Sequence, residues 1–174
     1  KNALLFEKNG EVRLLEEICK HIKSMRDTGD MYYLGARILE EKRKAMVVER
    51  KVAIEFAITQ PLVTVSAVAC EIYLKMLITN KLGKLPPKGH KLKKLYEQLT
   101  EEQKKHIEDE FNKWIEDRSD FETEIAQIDN SFLEWRYLYE KGWIEDTSIT
   151  HIRIGSIVKL MEILHDMCHS LKLE

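Results

Sequence analysis

The sequence has little of what interrupts or cross-links a chain. Three prolines and seven glycines in 174 residues exclude collagen-like and low-complexity classes. Its three cysteines, Cys19, Cys70 and Cys168, form no CxxC pair, so neither a disulfide framework nor a cysteine-rich zinc site is available. Each has an apolar neighbour, and the expectation is a reduced thiol on the core side. No uninterrupted apolar run approaches the roughly 18 residues of a membrane crossing, and the amino end carries no signal-peptide pattern. A cytoplasmic location with no membrane partner is therefore expected. An excess of charge of one sign is missing too: 28 Lys/Arg face 30 Asp/Glu, for a net charge of -2. That excludes a globally basic nucleic-acid binder and leaves a local basic surface open.

What remains is apolar, with 44% of residues from the hydrophobic set, which is enough for one core and argues against wholesale disorder. The apolar positions recur at helical spacing. Val12, Leu15, Ile18, Cys19 and Ile22 predict a first helix, and DTGD at 27–30 a break after it. Residues 30–59 predict one long or two shorter helices carrying Leu34, Ile38, Ala45, Val48, Val52 and Phe56 as their apolar series. Pro61 predicts a boundary, and the apolar run from Leu62 to Asn80 a helix in a bundle interior or an oligomer contact. GKLPPKG at 83–89 predicts a loop. Beyond it, Leu92, Leu95 and Tyr96 mark a short helix, and Thr100 with Gln103 a capping box opening a helix to about Ile115. A second box, Ser119 with Glu122, precedes Phe121, Ile125, Ile128, Phe132, Trp135 and Tyr139 at alternating four- and three-residue intervals. Ile154, Ile157, Leu160, Leu164 and Leu171 define a last helix. The reading is all-α, an antiparallel helical bundle: residues 1–29 as a helical appendage of uncertain placement, residues 30–174 as the bundle domain.

Charge is distributed unevenly along this pattern. Ile72 to Tyr96 holds seven lysines, His90 and no acidic residue, and residues 97–124 then hold eleven Asp/Glu against four Lys/Arg. Lys81, Lys84, Lys88, His90, Lys91, Lys93 and Lys94 thus form a candidate surface for RNA or another anion; the competing reading is a solvated basic face. Glu71 with Lys75, and Arg136 with Glu140, are spaced one helical turn apart. A polar network of these four is expected, with Glu71 pairing across helices to Arg136; a ligand-facing Arg136 is the alternative. His165 and His169 also share a helical face, but no compatible Asp, Glu or Cys ligand set is evident in the local sequence, Cys168 pointing to a different part of an ideal helix, so no metal site is expected. There is no phosphate loop of the GxxxxGK[ST] type and no HExxH helix, so no cofactor is expected either.

Three segments, ACEIYLKMLI at 69–78, GHKLKKLYEQL at 89–99 and NSFLEWRYLYE at 130–140, resemble the HEPN superfamily, helical domains associated with RNA or nucleotides in prokaryotic toxin and defence systems. The resemblance extends in helical order over roughly residues 30–171. It implies a bundle that commonly dimerises and, in catalytic members, cleaves RNA without metal through an RxxxxH motif. Here Arg136 is followed by Lys141 and Gly142, and no arginine has a histidine after four to six intervening residues. No catalytic residue is therefore assigned. The resemblance implies a noncatalytic or degenerate domain binding RNA, a nucleotide or a protein partner of a toxin-antitoxin or defence system, and a homodimer. The alternatives are a divergent metal-independent ribonuclease and a homodimeric adaptor that binds no nucleic acid.

Overall fold

The structure, a computed structural model, describes residues 2–48, 52–115, 120–129 and 154–171, with side chains described from 14–48, 57–115, 120–129 and 154–171. Six helices and no strand occur among the described residues: α1 (Asn2–Val48), α2 (Val52–Leu82), α3 (Leu92–Tyr96), α4 (Glu101–Trp114), α5 (Phe121–Ile128) and α6 (Ile154–Ser170). The fold is all-α.

Two expected breaks are absent. α1 runs through DTGD without interruption, because Gly29 is buried directly beneath the ring of Tyr73 on α2. The glycine serves a close helix crossing and marks no turn. Ile18 and Ile22, from the stretch read as an appendage, belong to the same buried cluster as Tyr73. α2 likewise continues through Pro61. Pro61 and Ala57, whose carbonyl loses its i+4 donor, are both exposed, so water can replace the missing bond.

The inner face of α1 also differs from the one the spacing suggested. Leu34, Ile38 and Val48 are 60%, 67% and 83% exposed, and Leu15, Cys19 and Ala45 are exposed as well. The buried line is Ile18, Ile22, Gly29, Ala36, Glu40 and Met46. At Gly29 the missing side chain lets the α1 backbone approach the Tyr73 ring of α2 closely.

α2 is the central element. Leu62, Val63, Ala67, Cys70, Tyr73, Leu74, Met76 and Leu77 are buried to within 1% of completely, and each such leucine contributes about 1.5–3 kcal/mol relative to exposure. Residues Ala57–Leu82 are long and apolar enough by composition to cross a membrane, but 72% of the tested window is buried inside the protein, as expected of a core helix. α6 packs on α2 and α1, with Ile157, Leu160, Met161 and Leu164 buried. Two contacts set its direction: Arg37 donates to Glu162 at 2.5 Å, and Asp30 meets His169 at 2.9 Å. Seven residues back along α1 match seven forward along α6, so the two helices are antiparallel.

α3, α4 and α5 close one end. The Phe121 ring packs against both Tyr96 and Phe111, with centroids 5.0 and 5.1 Å away, and the Tyr96 hydroxyl donates to Glu108. Thr100 and Gln103 make the expected reciprocal cap: the Gln103 N–H donates to Thr100 Oγ1 at 3.2 Å, and the Thr100 N–H to Gln103 Oε1 at 3.0 Å. At α5 the cap is Asp120, which accepts from the Thr123 N–H at 2.7 Å; Ser119 lies outside the described residues. α5 is described as far as Ile128, and Phe132, Trp135 and Tyr139 lie beyond it.

Candidate functional site

The acid-free stretch folds into the end of α2, a loop and α3. Gly83, at φ 58°, closes α2 by donating its N–H to the Thr79 carbonyl at 3.0 Å, and Lys81 sits in the last turn, where a cation complements the carbonyl end of the helix. Gly89, at φ 110°, turns the chain into α3. Lys91, the residue before α3, has no acceptor in its side chain to cap that helix. Asp129 performs this task from 36 residues away, taking the Lys93 N–H at 2.6 Å.

Leu92, Leu95 and Tyr96 are buried, which fixes α3 and turns the intervening lysines outward. Lys81, Lys84, Lys88, Lys91 and Lys94 are exposed and Lys93 is half-buried. Among the described residues none of these six makes an ion pair, in contrast to Lys44, Lys104 and Lys113, each held by a glutamate one turn away.

Lys75 and His90 are placed differently. Glu71 is buried on α2 and accepts from Lys75 Nζ at 2.7 Å. His90 Nδ1 lies 3.0 Å from both Glu71 carboxylate oxygens. The Glu71 carboxylate therefore clamps the loop onto α2 through His90, and Lys75 is engaged inside this network and does not belong to the outer surface. Arg136 and Glu140, the other half of the expected network, lie outside the described residues. The loop clamp joins residues 19 apart, and helical spacing within α2 gives no signal for it.

A second cluster lies where α1, α2 and α6 meet. His165 and His169 stand one turn apart on α6, with ring centroids 4.4 Å apart, and Asp30 arrives from α1. His169 Nε2 is 2.9 and 3.1 Å from the Asp30 oxygens, and the Tyr73 hydroxyl donates to Asp30 Oδ1 at 2.8 Å. Burial alone raises the Asp30 carboxyl, but the hydrogen bonds from His169 and Tyr73 and the charge of the two imidazoles outweigh it and hold its pKa below the ordinary value. Burial and the neighbouring Asp30 push the Tyr73 hydroxyl far up, so it stays a donor. The only sequence signal was the i, i+4 histidine pair.

Comparison with family models, with curated proteins and with solved structures returns no significant match for this chain, and the geometry of these two regions is what bears on function.

Proposed function

We propose that the chain is a noncatalytic HEPN-like domain that binds RNA through the Lys81–Lys94 segment. The observation that carries this reading is the set of six lysines without ion pairs among the described residues, spread over an acid-free stretch and anchored by Leu92, Leu95, Tyr96 and the Glu71 to His90 clamp. Cations not already neutralised by neighbouring carboxylates release counterions when a phosphate backbone binds, and such binding needs no base-specific contacts. The absence of an arginine and histidine at RxxxxH spacing supports binding without cleavage.

The test is binding and cleavage of labelled single-stranded RNA across salt concentrations, with wild type and with Lys84, Lys88, Lys91 and Lys94 all changed to glutamine. Single strands lose about 0.7 in log-log salt slope per phosphate contact, so the variant's slope is expected to flatten by up to ~2.8 units with helical content unchanged. Unchanged binding at every salt concentration overturns the reading. Cleavage favours a divergent ribonuclease, and retention of an acidic protein or a free nucleotide in place of RNA moves the same surface to that ligand.

The resemblance also suggests a homodimer, and α1 supplies a surface that supports one. Met31, Leu34, Ile38, Glu41, Ala45 and Val48 are all exposed and follow one another at alternating three- and four-residue steps, the a/d spacing of a coiled-coil seam. Five of the six are apolar, on the face opposite the core. Solution mass across concentration, for wild type and for Leu34→Glu with Ile38→Glu, tests it: dimer for the first and monomer for the second. A wild type that stays monomeric at micromolar concentration removes the dimer.

A further inference from the structure

We propose that Asp30, His165 and His169 form a binding site for a divalent transition-metal ion, of which Zn²⁺ is the best fit. The three offer one carboxylate oxygen and two imidazole nitrogens, all within 4.8 Å of one another. Four-coordinate zinc with arms of about 2.0–2.1 Å has ligand atoms about 3.3 Å apart. Asp30 and His169 already stand at 2.9–3.1 Å, so the set closes on an ion through side-chain movements of an ångström or so. Two imidazoles with one carboxylate suit zinc and its late first-row neighbours; magnesium and calcium prefer all-oxygen sets.

The ligands are held as metal ligands usually are. Asp30 Oδ1 accepts the Tyr73 hydroxyl at 2.8 Å, which fixes the carboxylate and leaves Oδ2 for the ion. His165 Nδ1 lies 3.0 Å from Asp166 Oδ1, an outer carboxylate of the kind that orients a ligating imidazole and leaves Nε2 for the metal. The His165 ring is stacked on Tyr33 at 3.9 Å and meets the Tyr73 edge at 5.9 Å. Two antiparallel helices carry the three ligands, and the outer side is open: the His169 side chain is 42% exposed. An ion can enter from solvent, and water can complete its coordination. A bound ion would pin α6 to α1 139 residues away in sequence, so binding is also expected to stabilise the fold.

The test uses the whole chain freed of metal with a chelator, titrated with Zn²⁺ by calorimetry and with Co²⁺ by visible absorption. One equivalent is expected per chain at micromolar protein, with d–d bands for Co²⁺ and a raised melting temperature with Zn²⁺. Asp30→Asn, His165→Gln and His169→Gln are each expected to weaken binding by more than about tenfold, the loss that outer-shell changes alone can cause. Cys19→Ser and His106→Gln, exposed positions outside the cluster, are expected to bind as wild type. His169→Gln keeps the test intact if Asp30→Asn, which puts a neutral amide in place of the carboxylate that His169 and Tyr73 share, fails to fold. Absence of binding in the wild type, or binding that the His165 and His169 substitutions leave unchanged, overturns the site.

Discussion

Gly29 lies so close to Tyr73 that a Cβ built on it would stand 2.5 Å from Tyr73 Cε1 and 3.0 Å from Cδ1 and Cζ. Tyr73 cannot give way, because its ring is completely buried and its hydroxyl is tied to Asp30. Gly35, on the same helix, has nothing within 4 Å of the same built atom.

The two glycines therefore predict opposite outcomes. Alanine gains about 0.5–1 kcal/mol over glycine in a helix, and overpacking a core costs about 1–3 kcal/mol. Gly35→Ala is expected to stabilise by about 0.5–1 kcal/mol, and Gly29→Ala to destabilise by about 1–2 kcal/mol. Urea denaturation of both variants checks this; a stabilised Gly29→Ala would contradict the close crossing.

Thr100→Ala removes the acceptor for the Gln103 N–H at the start of α4. The expected loss is about 1 kcal/mol, and Thr100→Ser should restore most of it, since serine keeps the hydroxyl. Equal melting temperatures for the alanine and serine variants would show that the cap contributes nothing.

The cysteines should react unequally. Cys70 and Cys168 are fully buried and burial pushes both thiols up, whereas Cys19 is exposed. Iodoacetamide is expected to label Cys19 alone in the native protein and all three in denaturant, as read by peptide mass. Native labelling of Cys70 at the rate of Cys19 would be incompatible with the α2 to α6 packing.

Glu40 on α1 gives a pH dependence. Burial raises its carboxyl, but hydrogen bonds from Arg43 at 2.7 and 3.1 Å and the charges of Arg43 and Lys44 outweigh that and lower its pKa from the usual 4.5. A carboxylate whose folded pKa is depressed adds stability that is fully present above the unfolded value and is lost as pH falls through the folded one. The stability gap between wild type and Glu40→Gln should be constant at pH 6–7 and shrink below about pH 4.5. Denaturation across pH measures it, and a gap that widens on acidification has the wrong sign.

Local chemistry was legible in the sequence wherever a feature closes within a few residues. The Thr100 to Gln103 box, the Gly83 to Gly89 loop and the apolar spacing of α6 each show within one turn or one loop, and residue types report those directly. The all-α class follows from their sum. Proximity between distant segments leaves no such mark. Gly29 and Pro61 carry the signature of breaks, yet a close crossing and an exposed carbonyl make both compatible with continuous helix. Leu34 and Ile38 read as core because apolar spacing says that a face is buried without saying against what; the tertiary packing gave the inner face of α1 to Gly29 and Ala36. Glu71 meets His90 because the loop after α2 folds back on that helix, and Asp30 meets His165 and His169 because α1 and α6 both pack on α2 and on each other. Side-chain pairs separated by 19 and up to 139 residues are fixed by that packing and by no local periodicity.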